Sequence, residues 1–394
     1  MIEYKRIRLE KIKNTERFIS NENYLDDAIA EASNRIFDIM PQYVHKYPTA
    51  CSENLYYEAI ENATDYKGSN WTPGFWTGML WTCYELTNNE LFRAVAEAQY
   101  DDWKDRLDNR KETNHHDIGF LYMPSVVAQY KITGSEKARL LALEAADILA
   151  KRYSDVAKII HVRDRNMQGE FIVDCSMNIP LLYWAAIETG DRSYYLKALN
   201  HITRVVECMV RDDASTYQCY KIDEITGEPI RGWTGQGYSD ESCWARGQSW
   251  AIYGLALSYK YTLDPDLLKV AKCLANYCLN RLPSDCICGW DLCFTENDAQ
   301  RDSSAAAIIA CGLLELSKYL SEDDIDKQVY QNAANKILCV LSKEYMTPKN
   351  KSNGLLMHAV YGHVLGKDEC CLWGDYYYLE GLLRLKNPQW NAYW

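Results

Sequence analysis

Four short stretches decide the fold: "YELTNNELF" (84–92), "YKITGSEKA" (130–138), "AIETGDRSY" (186–194) and "YKYTLDPDLL" (259–268). Each has the same form. A helix ends on aromatic or aliphatic residues and Thr. A Gly- or Asn-type stop follows, then Asn, Ser or Asp as the N-cap of the next helix. "SKYLSEDDI" (317–325) is a degenerate fifth copy. So short a turn makes the two helices antiparallel neighbours.

Working outward, helical periodicity dominates and no convincing alternating strand run appears. Twelve helical segments are predicted, near 23–40, 75–87, 90–107, 117–133, 135–153, 174–189, 191–212, 243–262, 264–281, 302–320, 325–346 and 373–386. The other connections are longer and chemically richer: "NWTPGFW", "NHHDIGF", "FIVDCSMN", "YSDESCWARGQSW", "AQRDSSA" and "LWGDYYY". Each leads into a helix N-terminus. Tight turns at one end and rich loops at the other predict an all-α chain of six helix hairpins closed into a toroid, an (α/α)6 barrel. The rich loops then surround one pocket. An open helical solenoid is the competing architecture, but its repeats are usually more regular. No linker or low-complexity tract divides the chain. It reads as one catalytic domain over 1–394, with 1–22 as an N-terminal extension.

Composition narrows the function. The 394 residues are 47% hydrophobic and 25% charged, as in a globular protein with a substantial core. A net charge of −12 disfavours nucleic acid and anionic membrane as partners. The first residues, "MIEYKRIRLEKIK", lack an apolar signal core, and "AAAIIACGLL" is too short to span a bilayer. A cytoplasmic protein, monomeric or weakly homo-oligomeric, is expected. The fifteen Cys then read as buried free thiols. "CICGWDLC" (Cys286, Cys288, Cys293) lacks partners at zinc-site spacing, so no metal and no cofactor are expected. No nucleophile elbow, Walker motif, His-Glu-x-x-His or paired Cys-x-x-Cys occurs.

Four rich loops place Asp near a helix start: Asp117, Asp174, Asp302 and Asp375. Each is explained plainly as an N-cap or a charge at the positive end of a helix dipole. Convergence of the loops would instead aim them all into one cavity. Asp174, between "FIV" and "CSMN", has no adjacent cation, so burial should raise its pKa and suit it to deliver a proton. Asp117 follows His115 and His116, and an imidazole there would keep it ionised. Two carboxyls in unlike environments are what acid/base chemistry at a sugar requires. A satisfied structural histidine is the competing reading of His116.

In "DESCWARGQSWAIYGLA" (240–256), Arg246 and Trp250 are four apart and share a helical face; Trp244 and Gln248 share another. A guanidinium beside an indole suits a sugar acid, the first for the carboxylate and the second for the ring. The competing reading pairs Arg246 with Asp240 or Glu241 and puts the tryptophans in the core. "RGWTGQGYSD" (231–240) is a Gly-rich loop without phosphate-loop order, with Thr234 and Gln236 as polar contacts. Trp71, ahead of its helix, reads as a cavity wall, and Trp76, inside it, as core.

The blocks "NWTPGFWTGMLW", "HHDIGF", "DCSMNIPLLYWA", "GQGYSDESCWARGQSWAIYGL", "DSSAAAIIACGLLEL" and "DECCLWGDYYYLE" together resemble the unsaturated glucuronyl hydrolases, glycoside hydrolase family 88. They run in the family's order from about Trp71 to Glu380. The resemblance implies an (α/α)6 barrel and an unsaturated uronate-containing oligosaccharide as substrate. It implies removal of a 4,5-unsaturated uronic acid from the non-reducing end of lyase-generated glycosaminoglycan fragments, by hydration of the C4=C5 vinyl ether. It gives Asp174 the proton transfer to C4 and activation of water at C5, and Asp117 the second essential carboxylate. It puts Trp71, Gln236, Arg246 and Trp250 in the pocket and Gly232 and Thr234 on the substrate loop; His116, read from its place beside Asp117, is counted with the substrate-binding residues. Gln248 and Ser249 stand where a sister family acting on unsaturated rhamnogalacturonan fragments has Asn and Gly. That sister activity competes with the glucuronyl one, as do a sugar epimerase and a noncatalytic carbohydrate-binding protein on the same barrel. Two positions depart from the family. Gln218, in "STYQCY", stands where many relatives have His. "MHAVYGHVLGKDE" (357–369) offers His363 and Lys367 as its obvious cations in place of a Ser/Lys-rich run. Both bear on contact with the leaving sugar or its sulfate.

Overall fold

A computed structural model describes residues 7–162, 168–296, 299–363 and 365–394. Part of the expected N-terminal extension, residues 1–6, lies outside the described residues. The helices are α1 (Leu25–Ile39), α2 (Pro73–Thr87), α3 (Glu90–Ala98), α4 (Tyr100–Asp108), α5 (Ile118–Tyr122), α6 (Ala128–Thr133) and α7 (Glu136–Ala150). Then come α8 (Pro180–Thr189), α9 (Arg192–Arg204), α10 (Ala245–Thr262), α11 (Pro265–Leu279), α12 (Ser303–Lys318), α13 (Ile325–Glu344) and α14 (Leu372–Lys386). The helix expected over 117–133 is α5 and α6 joined by a π turn at Met123–Val127. Pro124 inside it has no N–H for the α ladder.

The junctions fold as the sequence predicts. Asn88, Gly134, Gly190 and Leu263 take left-handed backbone as helix stops. Asn89, Ser135, Asp191 and Asp264 accept backbone N–H bonds as the next N-caps.

Helices α2, α5–α6, α8, α10, α12 and α14 form the inner ring, each touching the next, and α14 returns to α2. The (α/α)6 toroid is therefore closed. These helices are apolar on almost every side, as elements covered all round must be. In α12, every residue from Ser303 to Ser317 is buried. Five outer elements follow their inner partners through tight turns. The sixth outer position is filled by α1, which packs against α14 and α2 from the opposite end of the sequence.

Short antiparallel strands, absent from the sequence reading, dress the rich-loop end. They are β1 (Tyr47–Pro48) with β2 (Ala59–Ile60), a sheet of β3 (Glu170–Ile172), β4 (Cys219–Ile222) and β5 (Pro229–Trp233), and β6 (Ala359–Val360) with β7 (Lys367–Glu369). Two to five residues are too few to show alternation. The central sheet pairs Ile172 with Cys219 and Cys219 with Trp233. This register ties the approach to Asp174 to the start of the Gly-rich loop. No helix among the described residues is long and apolar enough to cross a membrane. No disulfide is present among the described residues, and all the cysteines but Cys219 and Cys293 are buried.

Candidate active site

The rich loops enclose a cavity of about 660 Å³ at the N-terminal end of the inner ring. Asp117, Asp174, His116, Trp71, Gln236, Arg246 and Trp250 all line it. Asp302 and Asp375 do not, which corrects the expectation that all four carboxylates face one mouth. Asp302 is a true N-cap, accepting from the Ser304 and Ala305 amides at 3.1 and 3.2 Å. Asp375 is turned into the core, where it accepts from Tyr57 Oη and the Leu355 and Leu356 amides. The two cavity carboxylates make no side-chain cap.

Local packing brings Asp117 and Asp174 together. Asp117 immediately precedes α5, and Asp174 lies in a 3-10 turn, Val173–Met177, that continues β3. Asn178 joins the two segments: its Oδ1 accepts from the Phe120 amide at 2.7 Å and its Nδ2 donates to the Asp174 carbonyl at 3.3 Å. Gly119 makes this approach possible. A Cβ there would lie 2.4 Å from Asn178 Cα.

His116 sits between the carboxylates. Its Nε2 donates to Asp174 Oδ1 at 2.7 Å and lies 3.3 Å from Asp117 Oδ1. Its Nδ1 faces the Val162 carbonyl at 3.3 Å. The expectation that Asp174 has no adjacent cation is thus corrected: the neighbour comes from a segment 58 residues away in sequence. Burial alone would lower the His116 pKa, but the charges of Asp117 and Asp174 outweigh it and raise it to about 9. For Asp174, burial dominates and raises the pKa despite His116. For Asp117, burial pulls the same way, but His116, His115 and Arg152 together outweigh it and hold the pKa low. The three groups thus share charge: Asp117 is biased towards its ionised form and Asp174 towards its protonated form, with His116 between them. The ligand atoms of these three residues lie within 4.8 Å of one another, a grouping able to hold a cation. Nε2 lies within hydrogen-bonding distance of Asp174, and ligating a metal there would require that nitrogen to give up its proton.

Arg246 is buried and ion-paired, with Asp302 at 3.1 Å rather than with Asp240 or Glu241. Its guanidinium also donates to the Val360 carbonyl, and to the Tyr361 carbonyl at 2.7 Å. It lies over Trp244 at 4.4 Å and Trp373 at 4.9 Å. Of five guanidinium N–H groups, these bonds use three and leave two for an anionic ligand. Trp250 packs on Phe120 and Tyr377 beneath the cavity, and Trp76 is core. Trp71 Nε1 donates to Tyr361 Oη at 3.0 Å.

Gly232 and Thr234 do not reach the cavity wall. Gly232 lies in β5 against the Tyr217 ring, and Thr234 Oγ1 donates to Gln218 Oε1 at 2.9 Å. His363 meets Trp290 edge-on at 5.1 Å and Lys367 lies in β7, and neither lines the cavity. Sequence reasoning missed Trp244, Tyr361 and Arg110 as lining residues. Tyr361 carries no motif; Trp244 was legible only as sharing a helical face with Gln248, and the structure puts it at the N-cap position of α10.

The family model for Glycosyl Hydrolase Family 88 matches residues 40–387. The chain belongs to this family. It is 39% identical to the unsaturated chondroitin disaccharide hydrolase of Streptococcus pneumoniae, over 99% of this chain and 100% of that protein. The crystal structure of unsaturated glucuronyl hydrolase from Streptococcus agalactiae superposes with a TM-score of 0.95 at 38% identity, covering 100% of both chains. An Asp-to-Asn mutant of that enzyme, complexed with dGlcA-GalNAc6S, matches at a TM-score of 0.88 and 38% identity over 100% of both chains. As a family 88 member this protein is a glycoside hydrolase. Within the family 88 frame, the His116-bridged carboxylates are the groups suited to proton transfer, and the aromatic walls are suited to a sugar ring.

Proposed function

We propose that this enzyme removes the 4,5-unsaturated uronic acid from the non-reducing end of glycosaminoglycan disaccharides by hydrating its C4=C5 bond. The observation that carries this reading is the shared environment of Asp174 and Asp117. An inverting glycosidase keeps its carboxyls roughly 6.5–9.5 Å apart to leave room for water. Here an imidazole fills the space between them. The pair is thus suited to one protonated acid held beside a fixed charge.

In this mechanism Asp174 gives its proton to C4 of the vinyl ether. Positive charge develops at C5 and the ring oxygen, where the ionised Asp117 offsets it. Asp174, now a carboxylate, takes a proton from the water that adds at C5. The resulting hemiketal opens and the leaving sugar departs. The remaining Arg246 N–H donors hold the uronate carboxylate, and Trp71 and Trp250 flank the ring. Gln236 contacts its hydroxyls.

The test is the ultraviolet absorbance of the conjugated enol-carboxylate in lyase-derived chondroitin, hyaluronan and heparin disaccharides. It should fall when the protein is added. No change across this panel would sink the activity; turnover confined to unsaturated rhamnogalacturonan fragments would move it to the sister specificity. In isotopic water the label should enter C5 of the uronate, whereas label at its anomeric carbon would mean conventional hydrolysis. We further propose a cytoplasmic monomer or weak homo-oligomer, in keeping with so many reduced thiols. Sizing by light scattering that gives a stable oligomer would overturn the second part.

A further inference from the structure

Gln218 does not line the cavity, yet it is a centre of the hydrogen bonding around it. It is 4% exposed. Its Oε1 accepts from Thr234 Oγ1 at 2.9 Å and from the Gly235 and Gln236 amides, both at 2.8 Å. Its Nε2 donates to Gln236 Oε1 at 2.7 Å. Gln236 Nε2 in turn donates to the Tyr361 carbonyl at 2.6 Å, the same oxygen that accepts from Arg246. The Gln218 carbonyl accepts from the amide of Val173 at 2.9 Å, one residue before Asp174. One side chain therefore shapes the 234–237 loop and decides which end of the Gln236 amide points where, while its backbone holds the strand that delivers Asp174.

Only an uncharged amide does both jobs. Its carbonyl oxygen takes several donors and its NH₂ donates to a second acceptor, whereas a carboxylate only accepts and a neutral imidazole nitrogen accepts once. We propose that Gln218 is a positioning residue for substrate binding, acting by fixing the orientation of the Gln236 amide. This rests on the reading that Gln236 contacts the uronate.

Gln218→Glu separates the two jobs. The carboxylate still accepts from Thr234 and from the Gly235 and Gln236 amides, so the loop is kept. It cannot donate to Gln236 Oε1, so the Gln236 amide turns over and its bond to the Tyr361 carbonyl is lost. With unsaturated chondroitin disaccharide, Gln218→Glu should raise KM at least tenfold and leave kcat within threefold of wild type. A purely structural loss would lower the active fraction, and so apparent kcat, without raising KM. In a Gln236→Ala background the same change should alter KM less than twofold, because its target is gone. Equal effects in the two backgrounds, or an unchanged KM in the single variant, overturn the proposal. If Gln218→Glu does not fold, Gln218→Asn, one methylene shorter, reads the same coupling in the same cycle. A wild type without turnover removes the functional reading and this proposal together; a turning-over wild type with additive effects removes this proposal alone.

Discussion

At the scale of single residues, the site depends on three groups sharing charge. Asp174→Asn removes the transferable proton but keeps the shape. Turnover should fall by about 10²–10⁴-fold or more, while disaccharide binding persists in calorimetry. The pH dependence follows from the directions of the shifts. In the proposed mechanism Asp174 acts protonated, and its pKa is raised, so kcat/KM should fall as pH rises and that limb should lie above the ordinary carboxylate range. Asp117 acts ionised and its pKa is lowered, so the acid limb should lie below the ordinary carboxylate range. In His116→Asn the cation that favours ionised Asp174 is gone. The alkaline limb should then move to higher pH, with reduced activity throughout. An alkaline limb that stays put would show that His116 does not set the Asp174 proton affinity.

At the scale of elements, the helices were legible because their signals are local. Caps, left-handed stops and apolar faces act within a turn or two, and the five tight junctions could be read from them. The strands were not legible, since their pairing partners are distant in sequence. One junction departs from its repeat. Leu263 holds the left-handed stop that Gly134 and Gly190 hold in the sister turns, with φ 56° and its side chain exposed. A side chain there costs about 1–2 kcal/mol, part of which the greater unfolded-state freedom of glycine returns. Leu263→Gly should therefore stabilise the protein by about 1 kcal/mol, read as a higher midpoint in thermal unfolding with unchanged kcat. Gly119→Ala should do the reverse. Its Cβ would collide with Asn178 and cost about 1–3 kcal/mol while separating the segments that carry Asp117 and Asp174, so kcat should fall along with stability.

Over the whole molecule, the ring has the candidate site at one end and a buried ion network at the other. There Arg384 pairs with Glu315 at 2.6 Å and Glu380 at 2.9 Å and meets the Tyr253 hydroxyl, and Trp394 Nε1 donates to Glu380 at 2.8 Å. Burial would raise the Glu315 pKa, but the charges of Arg384, Lys318 and Lys260 and the Tyr319 hydrogen bond together hold it at about 2. The folded pKa is depressed, so the stability it contributes is present above the unfolded carboxyl value near 4.5 and is lost as pH falls towards 2. Arg384→Met removes the buried cation from Glu380 and leaves Glu315 only the part-exposed Lys318 at 3.6 Å. It should cost about 3–5 kcal/mol in denaturant unfolding, with little change in kcat of the folded fraction, since the network lies at the far end of the inner helices from the cavity.

The sequence by itself determined the alternation of tight junctions with rich loops, and from it the closed barrel. It also singled out Asp117 and Asp174 by their unlike neighbours, and the ordered blocks carried the family resemblance. The tertiary structure decided which carboxylates face the cavity, that Arg246 is held by Asp302 and not by Asp240 or Glu241, and that His116 bridges the two acids. It also brought in Tyr361 and Trp244, and withdrew Gly232 and Thr234 from the wall. The physical reason is range. Caps and periodicity are set by neighbours a few residues away. Arg246 meets partners 56 and 115 residues along the chain, and only closure of the ring places them against it.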